Sequence, residues 1–410
     1  MENMMSENAV SSGQGVARDL PPDIVVEYDF MRPGPPGSDP IVETGRLIGR
    51  PPVVWTPHYG GHWVVTDGRI IPEVLADYER FSSREVFIGM PPGRPRGVPL
   101  EYDPPEHTQL RKLLQPAFTP KAIKRWADEA RVLGVELVEN IAPRGHCEFV
   151  ADFAKHLPMI IVLRMLDLPL EHREKLIYWV STGIRSVDQE ERAAVREKMN
   201  AYIEDLVDRR TAAPGDDVLS KAIHTEMDDG SRLTRELAIG LASGLIGGGL
   251  DTVATTMTWI AWYLAQNPEQ RKTLVDEPQR IPLATAEFLR RFGVSNIGRI
   301  VVKDMEFYGA PLKAGDAILM PSAVRGLDER VFDDPLTVNF DRRNAHDHTT
   351  LSHGPHRCIG IVLAQQELRI FLEEWLARIP DFELDESDPP VMAPGIVPSI
   401  DRLSLKWRAS

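Results

Sequence analysis

Cys358 is the residue whose type and setting point most directly to a specific chemistry. It lies in the stretch Leu351-Ser352-His353-Gly354-Pro355-His356-Arg357-Cys358-Ile359-Gly360, which runs into an amphipathic helix. A cysteine at the start of a helix points its sulfur toward unpaired backbone N–H groups, which favour negative charge. Gly354 and Gly360 allow tight turns and the close approach of a large flat ligand. A thiolate bound to iron fits this loop, and so does a buried, unreactive cysteine.

A second pattern lies in the longest helical stretch, where four glycines stand in Ser243-Gly244-Leu245-Ile246-Gly247-Gly248-Gly249-Leu250-Asp251-Thr252. Each interior glycine costs about 0.5–1 kcal/mol relative to alanine, so a flat ligand or a local distortion is expected there. Thr252 can bond back to the carbonyl of Gly248, and the ionisable Asp251 stands beside it. Together these two residues could move protons to a bound oxygen species. A tight helix–helix contact with an ion-paired Asp251 would explain the same pattern.

A third pattern is the acid–base pair Glu287 and Arg290, three residues apart on one helical face. Such pairs are common on solvated helices and contribute only about 0.2–0.5 kcal/mol. The apolar neighbours of this pair indicate burial, and a buried pair needs further partners. Arg342 or Arg343 could supply a second cation, and the sequence does not distinguish them.

Taken together, these patterns resemble the cytochrome P450 family from about Pro51 to the C-terminus. Glu287 and Arg290 look like the family's helix pair, and Gly248 to Thr252 looks like its oxygen-activation motif. The Cys358 loop falls on the haem-binding loop, and Asp103-Pro104-Pro105-Glu106-His107 followed by Arg111 looks like the bacterial haem-propionate segment. Four motifs in this order over 258 positions, Asp103 to Gly360, form a specific signature. The resemblance implies a mainly α protein with small β-sheets, a triangular helical prism that encloses haem.

The same resemblance implies haem b with Cys358 as the axial thiolate ligand of the iron. The positions that match the cofactor-binding residues of the family are His107, Arg111, Gly248, Arg299, His356, Cys358 and Gly360. Asp251 and Thr252 would relay protons, and the expected reaction is insertion of one oxygen atom from O2 into an unactivated C–H bond. A peroxide-driven haem-thiolate peroxygenase and a non-catalytic haem-based sensor are the alternatives. Peroxygenase relatives typically lack the acid–alcohol pair.

Within the family the sequence is most similar to the camphor monooxygenase group, with two departures. Leu351 stands where the haem loop usually begins with phenylalanine, and residues 86–100 contain no tyrosine to anchor a substrate ketone. The positions expected to face the substrate are mostly apolar or lack a side chain: Phe87, Gly244, Gly247, Gly248, Ser295, Ile297, Ile396 and Val397. We therefore expect a compact apolar substrate of monoterpenoid or norisoprenoid size, with Ser295 as one possible polar anchor.

The elements that must position these residues are mostly helices. Apolar spacing near 3.6 predicts helices over 108–115, 121–141, 149–165, 170–181, 190–210, 234–266, 281–292 and 361–378. A β-hairpin is predicted from 53–55 and 62–66, and short strands at 299–302 and 317–320. With 410 residues and no linker-like stretch, we expect a mostly irregular segment at 1–45 and a single domain at 46–410, β-rich near 50–70 and 297–322. Residues 90–99 hold four prolines and two glycines and predict a loop over the pocket.

The composition of the chain limits the kinds of partner that it could bind. The formal charge of −14 opposes non-specific binding to nucleic acid. No run approaches the roughly 20 apolar residues of a membrane span, so a soluble cytoplasmic protein is expected. The family resemblance implies that electrons come from a [2Fe–2S] ferredoxin and its NAD(P)H-dependent reductase. Residues 111–125 carry five basic and no acidic side chains, and Arg111, Lys112 and Arg357, with Arg343, could form a basic docking face for the ferredoxin.

Overall fold

The structure is a computed structural model that describes residues 18–90, 96–185 and 188–409. Helices dominate it, which confirms the predicted fold class. Within the described residues the α-helices are α1 Pro40–Gly45, α2 Ile71–Ala76, α3 Glu106–Leu114, α4 Pro120–Ile141, α5 His156–Met165, α6 Arg173–Arg185, α7 Gln189–Ala212, α8 Val218–His224, α9 Arg235–Gln266, α10 Pro268–Asp276, α11 Ile281–Arg291, α12 Ser322–Gly326 and α13 Ile361–Arg378.

Short strands form four small sheets in the described part of the chain. The strands are β1 Val53–Thr56, β2 His62–Val65, β3 Phe81–Ser82, β4 His146–Glu148, β5 Asn296–Val301, β6 Met305–Phe307, β7 Ala310–Leu312, β8 Ala317–Pro321, β9 Glu383–Leu384, β10 Val391–Ala393, β11 Ser399–Arg402 and β12 Ser404–Lys406. The largest sheet has the order β1-β2-β8-β5-β3. It places β5, which carries Arg299, beside the residues that lead into the proline-rich loop.

Helix α9 lies at the centre of the helical core. The Thr234 hydroxyl caps its N-terminus, and the helix packs against α5, α7, α8 and α13. A helix that is apolar all round is typical of a buried core element. By length and composition alone α9 could cross a membrane, but half of its most apolar window is buried inside the protein. Its packing accounts for its composition.

Helix α13 follows the Cys358 loop and packs along α4. Their contact is close at Gly134, where an added Cβ would lie 3.3 Å from the Ile370 side chain. Aromatic rings fill the space beyond: Phe149, Phe153, Phe371 and Trp375, with ring centroids 5.0–6.2 Å apart. The helix that begins at the candidate iron ligand is therefore fixed in the core.

The eight predicted helices and the hairpin all occur, with boundaries shifted by a few residues. The stretch 149–165 differs, because a π-turn at Val150–Ala154 precedes α5. Pro158 lacks an N–H and would clash with the carbonyl of residue 154, which explains the break. Part of the predicted loop, residues 91–95, lies outside the described residues, as do residues 1–17.

The strands predicted at 299–302 and 317–320 occur as β5 and β8, but most of the other short elements were not predicted. Among them are α2, α8, α10 and the paired strands of 383–406, most of them under eight residues. Too few residues lie in such elements for a period to show. Helix α1 falls in the segment expected to be mostly irregular, where Asp39 accepts hydrogen bonds from the N–H groups of Ile41 and Val42.

Candidate functional site

The loop that carries Cys358 is held by its own backbone. The Cys358 N–H donates to the carbonyl of Leu351 at 2.9 Å, and residues Gly354–His356 form a single 3-10 turn. Gly354 has φ +66, and an added Cβ would lie 2.7 Å from the Cα of Ala76, so a glycine is needed there. At Gly360 an added Cβ would make only ordinary contact, 3.8 Å from the Cys358 Sγ. Close packing against another part of the protein therefore requires a glycine at position 354 but not at position 360.

The sulfur of Cys358 lies between opposing electrostatic effects. Burial raises the pKa of the thiol, while the N–H of Gly360 and the charge of Arg111 lower it. Burial is the largest of the three effects, so the helix start alone does not produce a thiolate. A coordinating metal ion deprotonates a thiol outright. The site thus favours the thiolate once a cation binds the sulfur.

Four predicted propionate contacts converge beside this loop. His107 and Arg111 lie one turn apart on α3, Arg299 lies on β5, and His356 precedes the cysteine. The rings of His107 and His356 lie 4.1 Å apart, and the Arg111 Nη2 donates to the Arg357 carbonyl at 2.6 Å. The structure brings together four residues that span 250 positions of sequence, 107 to 356.

Burial weakens the charge of this cluster. Burial, with a smaller contribution from neighbouring arginine charges, lowers the pKa of His107 to about 4 and of His356 to about 2. It also lowers the pKa of Arg299 to about 10, which still leaves the guanidinium charged at neutral pH. A neutral histidine still has one N–H donor, so the two rings can add hydrogen bonds beside the charged arginines.

The cluster fits the carboxylates of haem. Three buried nitrogens of this one cluster have no hydrogen-bond partner among the described residues: His107 Nδ1, Arg299 Nη2 and His356 Nε2. Buried polar groups are nearly always satisfied, so three together indicate an external acceptor. Two propionate groups would supply acceptors and negative charge at this place.

The middle of α9 is open on one side. An added Cβ at Gly247 or Gly248 would meet no atom within 4 Å. The Thr252 hydroxyl donates to the Gly248 carbonyl at 3.1 Å, the back-bond expected from the sequence, and Asp251 is buried beside it. The glycines thus leave room for a flat group, whereas a tight helix contact holds for Gly249, whose Cβ would lie 2.8 Å from Val162.

Gly244 has a different environment from Gly247 and Gly248. An added Cβ there would lie 2.9 Å from the carbonyl oxygen of Val98. One turn earlier, a Cβ at Gly240 would lie 2.7 Å from the Val98 side chain and 3.0 Å from the Arg96 carbonyl oxygen. Packing of the loop end on α9 therefore accounts for the small residue at 244, a position that the sequence predicts to face the substrate.

The remaining predicted pocket residues are half-buried: Phe87, Ser295, Ile297, Ile396 and Val397. The Ser295 hydroxyl donates to the Thr350 carbonyl at 3.3 Å, so its proton is used within the protein. The Ile396 carbonyl accepts the Asn296 N–H at 3.0 Å, which ties the C-terminal segment to β5. Phe87 also borders a cleft of about 370 Å³ with Trp55 and Tyr59, which the sequence did not reveal.

A buried ion network on α11 lies next to the segment that leads into the cysteine loop. The Arg290 guanidinium donates to both oxygens of Glu287 at 2.7 and 2.9 Å, with both side chains fully buried. Arg342 supplies the second cation at 3.1 Å, which resolves the choice between Arg342 and the exposed Arg343. The Thr350 hydroxyl donates to the Leu289 carbonyl at 2.6 Å and links the loop to α11.

The predicted basic face is partly neutralised. Arg111 is half-buried, whereas Lys112, Arg343 and Arg357 are exposed. Three basic residues of the run 111–125 pair with acids: Lys112 with Asp228, Lys124 with Asp128, and Arg125 with Glu129. Within the described part of the chain, Arg343 and Arg357 have no acidic partner. Lys121 on α4 is also exposed and without an acidic partner within the described residues, so the unpaired cations of the predicted face are Lys121, Arg343 and Arg357.

Comparison with known proteins agrees with this geometry. The cytochrome P450 family model matches residues 171–400. The probable cytochrome P450 127A1 of Sinorhizobium fredii (strain NBRC 101917 / NGR234) is 33% identical over 399 residues, 95% of this chain and 96% of that protein. The crystal structure of cytochrome P450 CYP101C1 aligns with a TM-score of 0.88 at 32% identity, and covers 96% of this chain and 100% of its own. That of CYP101J2 has a TM-score of 0.86 at 34% identity, over 95% and 98% of the two chains.

The fold and the cysteine site define a haem-thiolate oxidoreductase. This chain belongs to the cytochrome P450 family. Its cofactor is haem b, with Cys358 as the axial thiolate. The predicted likeness to bacterial members of the camphor-monooxygenase type is confirmed by the two aligned structures.

Proposed function

We propose that this protein is a cytoplasmic, ferredoxin-dependent monooxygenase that hydroxylates a compact apolar substrate of monoterpenoid or norisoprenoid size. Family membership supplies the class of chemistry. The main support for a dioxygen-dependent monooxygenase is the open face of α9, where Gly247 and Gly248, which have no side chain, lie one turn from Asp251 and Thr252. It combines room for a flat cofactor with a proton-transfer pair.

The residues that would hold the haem divide by chemistry. Cys358 supplies the anionic sulfur, and His107, Arg111, Arg299 and His356 would receive the propionates. When bound, the haem activates dioxygen and supplies the oxidant for the C–H bond. The protein has to exclude water, deliver protons and hold one carbon of the substrate toward the cofactor.

Asp251 and Thr252 have different tasks in proton delivery. The Thr252 hydroxyl already donates its proton to the Gly248 carbonyl, so its oxygen is oriented to accept a hydrogen bond from a group in the open space. The Asp251 carboxyl, buried beside Thr252, would pass protons to it through water. A peroxide-driven enzyme needs no such relay, so this pair favours the dioxygen-dependent reaction.

The lining of the pocket sets the substrate class. Phe87, Ile297, Ile396 and Val397 offer apolar surface, and the proton of the Ser295 hydroxyl is already donated to the Thr350 carbonyl. Burial of an apolar ligand is worth about 25 cal/mol per Å² of surface removed from water, without a strong polar anchor. A rigid terpenoid-sized hydrocarbon with one weak polar group satisfies these conditions.

A spectral titration tests the proposal. We expect β-ionone and camphor to shift the purified haem protein from low to high spin with micromolar to submillimolar Kd, with β-ionone the tighter ligand. Turnover with NADH, a ferredoxin reductase and a [2Fe–2S] ferredoxin should then give one hydroxylated product per NADH consumed. Spin shifts only with long fatty acids would contradict the substrate class. Turnover only with hydrogen peroxide would contradict the donor, and no product with either oxidant would indicate a sensor.

A further inference from the structure

The two ends of the proline-rich loop meet at one buried carboxylate. Glu101 is fully buried. Its Oε1 accepts the backbone N–H of Val86 at 3.2 Å, and its Oε2 accepts the N–H of Gly97 at 2.7 Å. Ten residues, 87–96, separate these two donors along the chain. One side chain therefore sets the distance between the residue before Phe87 and the residue before Val98.

The first end of the loop is also fixed to the sheet. The Val86 carbonyl accepts the N–H of Gly298 at 2.8 Å, on the same strand as Arg299. Ile88 packs on the same glycine, where an added Cβ would lie 3.0 Å from its Cγ1. Phe87, between these two anchored residues, has its backbone position determined by β5 on one side and by Glu101 on the other.

The second end rests on the haem-facing helix. The Arg96 guanidinium donates to the Glu101 carbonyl and stacks over the Tyr102 ring at 3.9 Å. The Glu101 N–H donates back to the Gly97 carbonyl at 2.8 Å. Val98 then lies on α9 in the space left by Gly240 and Gly244, one turn before the open glycines.

We propose that Glu101 is a positioning residue for substrate selection, which holds the Phe87 end and the Val98 end of the loop at a fixed separation above the pocket. The inference rests on the proposed function, because it assumes that Phe87 and the middle of α9 face the substrate. Glu101 contacts no reacting group in this scheme. It acts through the backbone of the two loop ends.

The chemistry of the clamp requires two acceptors on one side chain. A carboxylate offers both oxygens to N–H groups. In Glu101→Gln the shape is kept, but one acceptor becomes an NH2 group that faces a backbone N–H. A buried donor left without an acceptor destabilises the local structure, so one loop end should separate from the side chain.

The binding constants of azole ligands report the shape of the pocket and do not depend on turnover or on the true substrate. Imidazole is small and binds at the iron, whereas 4-phenylimidazole also fills the space under the loop. In holoenzyme Glu101→Gln we expect the Kd of 4-phenylimidazole to rise about tenfold, while the Kd of imidazole changes less than about twofold. The control Glu85→Gln removes an exposed carboxylate from the same segment and should leave both constants unchanged.

A second variant tests the same geometry from the opposite side. Gly240→Ala places a methyl group against Val98 and the Arg96 carbonyl oxygen and leaves the carboxylate intact. It should raise the ratio of the two azole constants as Glu101→Gln does. Trypsin should also cleave after Arg96 faster in Glu101→Gln than in wild-type protein, a readout that does not involve haem. These outcomes would support a clamp.

Equal weakening of both azoles, or wild-type ratios in Glu101→Gln, would overturn the proposal. If Glu101→Gln does not incorporate haem, a wild-type ratio in Gly240→Ala would overturn it instead. Failure of the proposed function is a separate result. The wild-type protein would then give no spin shift with β-ionone or camphor, whatever the azole ratios of the variants.

Discussion

Two buried glutamates hold the two sides of the haem site in different ways. On the cysteine side, Glu287 binds the guanidinium groups of Arg290 and Arg342 and the N–H of Asn339. On the proposed substrate side, Glu101 binds the backbone N–H groups of Val86 and Gly97. The first carboxylate joins charged side chains of packed elements, and the second joins two ends of a loop.

The two kinds of bonding correspond to the different functions of the two sides of the haem site. The cysteine side determines the ligand of the iron and hence the reaction class, so a network of charge-assisted bonds gives it one geometry. The proposed substrate side would determine which molecule is oxidised. A clamp on a backbone allows the loop sequence to vary while its ends stay in place.

The largest effect is expected at the iron ligand. Cys358→Ser should abolish the thiolate-type Soret band of the reduced CO complex and lower turnover by at least about a thousandfold, because a hydroxyl does not donate electron density as a thiolate does. The control is Cys147→Ser, at the only other cysteine, which is buried on β4 away from the site. It should keep the band. A thiolate-type band in Cys358→Ser would contradict the assignment.

The next effect is expected at the ion network that supports the cysteine loop. Glu287→Gln removes the negative charge but leaves two guanidinium groups buried, and breaking a buried pair in this way costs about 3–5 kcal/mol. We expect the urea midpoint of unfolding to fall sharply and haem to be lost early. Asp276→Asn breaks the exposed pair with Lys272 and should cost less than about 0.5 kcal/mol. A similar loss in both variants would remove the contrast between a buried network and a surface pair.

The same contrast explains what the sequence could predict. The residues of the cysteine side belong to contiguous sequence motifs: the Cys358 loop, the Glu287–Arg290 spacing and the long apolar helix. Local spacing was sufficient for these, because the residues that act together lie within one turn or one loop. Even there, the choice of Arg342 over Arg343 needed the structure, since adjacent residues differ only in the direction of their side chains.

The substrate side could not be read in this way. Gly244 and Gly247 look alike in sequence, yet one faces the Val98 backbone and the other faces open space. The role of Glu101 depends on Val86, fifteen residues earlier, and on α9, far along the chain. Contacts between distant segments leave no period and no motif in a single sequence.

Acid should destabilise the folded protein through His62. This fully buried histidine on β2 packs near Tyr59, on which Gly89 of the loop rests, and burial lowers its pKa to about 4. The pKa is lower in the folded protein than the usual 6.5, so the stabilisation is complete above pH 6.5 and is lost as the pH falls toward 4. Between pH 7 and 5 wild-type protein should lose about 2 kcal/mol more unfolding free energy than His62→Gln. Equal losses of unfolding free energy in wild-type protein and in His62→Gln, measured by urea titration, would contradict the assignment of this pH dependence to His62.

The smallest effect is expected at the exposed charges beside Cys358, and it separates electron delivery from substrate choice. Arg357→Glu reverses a charge that has no acidic partner within the described residues, so reduction by an acidic ferredoxin should slow about three- to tenfold at low ionic strength and recover toward wild type as salt screens the encounter. Lys272→Glu makes the same charge change on α10 and should not alter the rate. The azole constants should be unchanged in both variants, because within the described residues neither side chain contacts the loop ends that Glu101 holds. A reduction rate independent of salt, together with a wild-type rate in Arg357→Glu, would mean that the donor binds elsewhere.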